Sequence, residues 1–361
     1  MTRRVLVVRL DGTGDVLLAG PAVRAVAAAP DTEVSLLCGP AGEAAGRLLP
    51  GVRHVLGWAS PWVVAPAPPV TWAGVDDVVK MLAGHTFDEA VVLTSFHQSP
   101  LPTALVLRLA GVPRITGASV DYAGTLLDVR LRPGAGPCDD LPEDLPEPER
   151  ALAIAAAAGY LLPLDDDGRL AVHPPPPVTA LLGPVADEPY VVLHPGAKVP
   201  ARQWPAGHHR AAAELLERDG IPVVVTGGRD ERALTATVAG GRSVDLGGRT
   251  DLAHLAGVLA GASAVVAGNT GPAHLAAAVG TPVVSLFAPV VPAHKWRPYK
   301  VAQVLLGDQD APCRDTRARD CPVPGHPCLR GVPPEEVVAA VHRLTAARPE
   351  PGPELVQEGH P

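Results

Sequence analysis

Several short stretches carry residue types and spacings that could do chemistry. Arg9-Leu-Asp-Gly12-Thr-Gly14-Asp15 follows an apolar run at 3–10. The glycine pair lets the backbone turn tightly where open α/β sheets bind ligands. Asp15 would sit at the rim of such a cleft, placed to act as a general base. The plainer use of an aspartate there is to cap a helix. The stretch is not a dinucleotide fingerprint, because Leu17 and Leu18 occupy the region of the third glycine and no acidic residue closes the next strand. A second stretch, Gly268-Asn269-Thr270-Gly271-Pro272-Ala273-His274, separates an apolar strand from an Ala-rich helix. Pro272 suits a first helical turn, and Thr270 or Asn269 could cap it. A glycine-rich turn feeding a helix N-terminus is also a ready anion site, since free N–H groups and the helix dipole favour negative charge. An ordinary tight turn is the competing explanation.

Two more strand ends point the same way. His194-Pro-Gly-Ala-Lys198 is followed by Arg202-Gln-Trp204-Pro205. Lys198 and Arg202 near a glycine turn could neutralise a diphosphate, or simply face solvent. Thr226-Gly-Gly-Arg-Asp230-Glu231 places two acids where ribose hydroxyls could donate to them. The same acids would also favour a first helical turn. Cys313, Cys321, His326 and Cys328 cluster late, in spacings that fit no standard zinc pattern, so a Pro-rich structural loop is expected rather than a metal site. Trp58, Trp62 and Trp72 lie among Pro61, Pro66, Pro68 and Pro69. That segment reads as an apolar acceptor or membrane-facing patch, or as packing on its own domain.

The elements that must position these residues are legible in the hydrophobic pattern. Strands are expected at 3–10, 33–38, 54–58, 89–94, 114–117 and 126–131, and again at 190–194, 221–226, 243–246, 264–268, 283–287 and 302–306. Continuous Val/Leu runs alternating with helical spacers predict parallel sheets covered on both faces. Helices are expected at 20–29, 148–161, 274–279 and 334–346. Two such series predict two doubly wound domains, residues 1–172 and 189–346. A Pro-rich linker at 173–188 joins them, and a Pro/Gly/Glu-rich tail at 347–361 is expected to be disordered.

Composition narrows the function classes. The 361 residues carry 30 Lys and Arg against 38 Asp and Glu, a formal net charge of −8. That balance, without a basic run interleaved with aromatics, disfavours nucleic acid as a partner. No signal peptide or spanning apolar run is evident, so a cytoplasmic setting with five reduced cysteines is expected.

Taken together, the motifs resemble glycosyltransferase family 9, the ADP-heptose:lipopolysaccharide heptosyltransferase family. The resemblance rests on the loop ending in Gly14-Asp15, on His194-Pro-Gly-Ala with Arg202-Gln-Trp204-Pro205, and on Gly268-Asn-Thr-Gly-Pro-Ala-His274. Cys313, Cys321, His326-Pro-Cys328-Leu and Pro334-Glu-Glu-Val337 complete it, and it runs from about residue 3 to 345. It implies a GT-B fold, two Rossmann-like domains facing a central cleft, with the acceptor on the N-terminal domain and the nucleotide sugar on the C-terminal one. It implies an inverting glycosyltransferase with no metal and no cofactor, moving a heptose-like sugar from an ADP-linked donor. The acceptor would be a glycan, glycolipid or small molecule in cell-envelope polysaccharide biosynthesis. Localisation would be cytoplasmic, at the inner face of the cell membrane, with at most peripheral membrane contact. Carried over residue by residue, Asp15 is the base beside Gly14. Arg202 is the phosphate-binding cation, where the family usually has Lys. Asn269, Thr270, Gly271, Pro272 and His274 form the diphosphate loop, with Asn269 where the family usually has Asp. Lys198 would assist Arg202, and Asp230 or Glu231 would hold the ribose. The Asn for Asp exchange keeps alive a non-catalytic sugar-nucleotide-binding protein, and the fold also admits a nucleotide-sugar epimerase.

Overall fold

The computed structural model describes residues 2–134 and 136–346. Its elements, in chain order, begin with β1 (Arg3–Arg9), α1 (Thr13–Leu18), α2 (Gly20–Ala27), β2 (Thr32–Cys38), α3 (Glu43–Gly46) and β3 (Val52–Gly57). The first half continues with α4 (Trp72–Ala83), β4 (Glu89–Val92), α5 (Leu101–Leu109), β5 (Arg114–Ala118), β6 (Val129–Leu131) and α6 (Glu147–Ala157). After α7 (Thr179–Leu182) come β7 (Val191–His194), α8 (Ala206–Arg218), β8 (Val223–Val225), α9 (Arg232–Ala239), β9 (Val244–Asp245) and α10 (Leu252–Ala260). The chain then forms β10 (Ala264–Gly268), α11 (Gly271–Ala278), β11 (Val283–Leu286), α12 (Ala293–Trp296), β12 (Gln303–Leu306), α13 (Pro327–Arg330) and α14 (Pro334–Ala346).

The strands make two six-stranded sheets, ordered β3-β2-β1-β4-β5-β6 and β12-β11-β10-β7-β8-β9. Every pairing between named strands is parallel. Each half thus has the doubly wound order, and the strand order reverses between β1 and β4 and again between β7 and β10. Crevices at the carboxyl ends of strands at such reversals are where open α/β sheets take ligands. Composition explains why the interior strands sit where they do. Val5, Leu6 and Val7 in β1, and Val191, Val192 and Leu193 in β7, are fully buried, as strands covered on both faces require.

One buried cluster joins the halves. It runs from Val5, Val16 and Leu17 to Val192, Val265, Ala273 and Leu275. The segment at 295–300 adds polar ties across the same junction. Lys295 Nζ donates to the Glu143 carbonyl, Tyr299 Oη to Glu149 Oε1 at 3.0 Å, and Lys300 Nζ to the Asp167 carbonyl at 2.5 Å.

Three local expectations need correction. The loop after β1 is not open chain to residue 20: α1 begins at Thr13, so Asp15 lies in its first turn. Asp15 does not cap a helix, because Gly12 is the N-cap and no side chain among the described residues caps α1. The segment between the sheets is not irregular throughout, since α7 and a 3-10 turn at Gly183–Asp187 follow the proline run. The expected disorder at 347–361 lies outside the described residues.

Candidate active site

The site is built from the ends of β1, β4, β7 and β10, with α6 and α12 reaching in from the sides. Arg9, the last residue of β1, is 2% exposed and holds three carboxylates. Its Nη2 donates to Asp15 Oδ1 at 3.0 Å, to Glu147 Oε2 at 3.0 Å and to Ser95 Oγ at 2.7 Å. Its Nε lies 3.0 Å from Asp11 Oδ2, in contact but without hydrogen-bond alignment. Gln98 Nε2 donates to Asp11 Oδ1 at 2.6 Å. Ser95 and Gln98 belong to the loop after β4, and Glu147 opens α6.

Burial outweighs the ion pairs in setting the protonation of this cluster. One guanidinium shared among three carboxylates cannot neutralise them all. Burial pushes Asp11 up to about 6, against the attraction of Arg9 and with the help of the neighbouring Asp15 charge. Burial likewise raises Glu147, again outweighing Arg9. Arg9 itself is held more firmly in its charged form: the surrounding anions overcome its own desolvation.

Asp15 differs from its two neighbours in being 28% exposed. Trp296 Nε1, at the end of α12, donates to Asp15 Oδ1 at 3.3 Å. Arg9 uses the same oxygen, so Oδ2 is left as the open acceptor among the described residues.

Across the cleft stands the start of α11. A Cβ on Gly14 would come within 2.9 Å of His274 Cδ2, and one on Gly271 within 3.2 Å of Thr13 Cγ2. Two glycines therefore let α1 and α11 meet closely, which brings Asp15 toward His274 and Arg202. The charge of Asp15 reaches both. Arg202 Nη1 donates to the Asn269 carbonyl at 3.3 Å. Asn269 is 4% exposed, yet neither its Nδ2 nor its Oδ1 has a partner among the described residues. His274 is equally buried, its Nδ1 also lacks such a partner, and burial pushes it down to about 4. Its ring is therefore neutral at pH 7. Thr270 is the N-cap of α11 but does not cap it: its hydroxyl turns back to the Gly268 carbonyl at 3.4 Å. Capping by Thr270 is thus corrected, and the Asn269 side chain makes no such bond either. Buried polar atoms without partners are uncommon and expensive, so three of them beside an uncapped helix start invite a polar ligand.

The remaining expected residues are placed less centrally. Lys198 is exposed and makes no hydrogen bond or ion pair among the described residues. Asp230 is exposed in the 3-10 turn Arg229–Glu231 that follows β8. Glu231 Oε2 accepts from Gly228 N at 2.7 Å, and its carboxylate lies against Gly196, where a Cβ would meet Oε1 at 1.9 Å. It bridges the loops after β7 and β8. His194 Nδ1 lies 2.9 Å from Thr226 Oγ1 on the same edge.

Trp204 anchors Arg202 from behind. Its Nε1 donates to the Val332 carbonyl at 3.1 Å, and its ring packs edge-on against His209 at 4.7 Å. The cysteine loop has a similar task. His326 Nε2 faces the Ala201 carbonyl at 3.0 Å, and Ala201 N donates to the Arg319 carbonyl at 2.9 Å. A carbonyl only accepts, so Nε2 of His326 carries the proton. Cys313 and Cys328 are buried in the core of the second half. No cluster of three or more His, Cys, Asp or Glu able to hold a metal is found among the described residues.

Sequence reasoning assigned no role to Arg9, Asp11, Glu147 or Trp296. Glu147 lies 138 positions from Arg9, and no spacing signals such a pairing. A Trp set among His294, Lys295 and Arg297 just past β11 was the one local hint of Trp296.

Two doubly wound halves whose switch points face one cleft define a GT-B glycosyltransferase fold. The chain belongs to glycosyltransferase family 9 (heptosyltransferase), whose sequence profile matches residues 142–326, just over half of its length. Among solved structures, it resembles ADP-heptose lps heptosyltransferase II of E. coli at 19% identity and TM-score 0.71, over 95% of this chain and 98% of that one. It also resembles a family 9 glycosyl transferase from Veillonella parvula at 17% identity and TM-score 0.75, over 95% and 97% of the two chains. E. coli heptosyltransferase WaaC, solved with ADP, aligns at 20% identity and TM-score 0.66, over 94% and 97%. At these identities the structural likeness speaks for the fold. No curated protein matches in direct sequence comparison.

Proposed function

We propose that this glycosyltransferase moves a sugar from a nucleoside diphosphate, ADP in the first instance, to a hydroxyl of a cell-envelope glycan or glycolipid, with inversion. Residues 1–172 would take the acceptor and residues 189–346 the donor. The observation that carries the reading is the convergence of Asp15 with Arg202, Asn269 and His274 across one cleft. Two of the structural relatives suggest the donor class: WaaC was solved with ADP, and heptosyltransferase II is named for ADP-heptose.

In this mechanism the Oδ2 of Asp15 takes the proton from the acceptor hydroxyl as it attacks the anomeric carbon. Arg9 and Trp296 fix Oδ1, so the free oxygen has a defined direction. A single displacement inverts the centre and requires one base only, worth about 10²–10⁴-fold in rate. Negative charge grows on the departing diphosphate. The Gly271 N–H at the start of α11, the guanidinium of Arg202 and neutral His274, as a donor, would meet it. Asn269 supplies both a donor and an acceptor to the same group. Glu231 or Asp230 would take the ribose hydroxyls.

The test is acceptor-dependent release of nucleoside diphosphate from ADP-heptose, with Asp15→Asn alongside. Release that vanishes in the variant while ADP still binds supports the assignment. Wild-type turnover in Asp15→Asn would remove Asp15 from the mechanism.

A further inference from the structure

A cavity of about 290 Å³ opens at the carboxyl ends of β1 and β4, on the first half of the chain. Leu10, Val92 and Pro102 form the apolar side of its walls, Trp62 and Val63 of the Pro-rich segment roof it, and its other side is polar but uncharged. Trp62 Nε1 is committed to Thr103 Oγ1 at 3.0 Å, so its ring presents carbon to the space. Among the described residues, no lysine, arginine, aspartate or glutamate lines it.

The cavity is joined to the base. Gln98 lines it and also bonds Asp11, the neighbour of Asp15 on Arg9. His97 stands at its rim, within reach of the charges of Asp15 and Arg317. One polar group inside is unanswered. Thr94 is 8% exposed and lines the cavity, yet its Oγ1 has no hydrogen-bond partner among the described residues.

From this geometry we infer an acceptor subsite for an apolar aglycone. The acceptor carries an alkyl or aryl group next to the polar part that bears the reacting hydroxyl. The apolar group fills the space under Trp62, and the atom joining it to the polar part answers Thr94. The volume suits this: an apolar cavity of roughly 150 Å³ already admits a benzene ring. The lack of lining cations argues against an anionic group in that place, because a buried charge without a partner is strongly disfavoured. The inference rests on the transferase reading, since it takes Asp15 as the group the acceptor must reach.

The experiment is isothermal titration of the ADP-saturated protein with methyl, phenyl and n-octyl β-D-glucopyranosides, the octyl compound kept below its micelle concentration. The same glycosides on mannose repeat the comparison. Val63→Phe fills the roof and Ser99→Phe crowds the rim at an exposed position, so at least one should fold normally. The expected result is phenyl or octyl glycoside binding at least about tenfold tighter than methyl, with the gain lost in both variants. Preference for octyl alone marks a lipid-like acceptor, and preference for phenyl alone an aryl one. Equal binding of methyl, phenyl and octyl glycosides overturns the subsite, as does an alkyl gain that survives both substitutions. ADP affinity, measured first in each protein, reports on the donor reading separately.

Discussion

Arg9 is the residue on which the site turns. Its side chain is 3% exposed and that of Glu147 only 1%. Removing one partner of a buried ion pair leaves the other uncompensated, typically at about 3–5 kcal/mol. Arg9→Met should therefore lower unfolding free energy by about that amount in a urea titration. Asp11 makes a second prediction at this scale. Its folded value, about 6, lies above the ordinary aspartate value near 4. The native protein thus keeps a proton that the unfolded chain has already released. Stability should fall as pH rises from about 4 to about 6, and Asp11→Asn should flatten that decline. Asn269 gives a third. Its amide makes no hydrogen bond among the described residues. Asn269→Ala should change stability by less than about 1 kcal/mol, yet weaken ADP binding roughly 2–10-fold by calorimetry.

At the scale of elements, α1 and α11 matter through their contact. Gly14→Ala would drive a Cβ into the His274 ring, and either the ring or the helix must shift. A shift of an ångström in a catalytic cleft can lower kcat/KM by about 10²-fold, and steady-state kinetics would show it. This level was also where the sequence was most legible. The central strands β1, β4, β7 and β10 stand on unbroken apolar runs, because strands buried on both faces must be apolar throughout, whereas the edge strands β3, β6, β9 and β12 are only partly buried. The glycine-rich turns after β1, β7, β8 and β10 were legible for a related reason: tight turns demand glycine. Both α7 and α1 escaped. Thr13-Gly-Asp-Val-Leu-Leu spans less than two turns and carries a glycine in its first, so neither periodicity nor a cap announces it. Its helical state comes from tertiary packing of Val16, Leu17 and Leu18, all buried.

At the scale of the whole molecule, sequence reasoning could name residues at strand ends but not their partners across the cleft. Arg202, Asn269 and His274 come together because they follow neighbouring strands β7 and β10 in one sheet. Asp15 joins them only through the docking of two halves. Glu147 and Trp296 enter from α6 and α12, whose positions follow from that docking and from no local pattern. No helix among the described residues is long and apolar enough to cross a membrane. The exposed Val70 and Trp72 at the head of α4 nonetheless leave apolar surface on the half that would take the acceptor.

The central claim is a nucleoside diphosphate held between Arg202 and the start of α11. The most direct test is the melting temperature of the protein with ADP, UDP and GDP, beside Arg202→Ala. A ligand at 100 times its Kd adds about 2.7 kcal/mol, which for a protein of this size is roughly 5–10 °C. A selective rise with ADP, abolished in Arg202→Ala, is the predicted result. No rise with any of the three, or a rise that Arg202→Ala retains, would contradict a diphosphate site at Arg202 and α11.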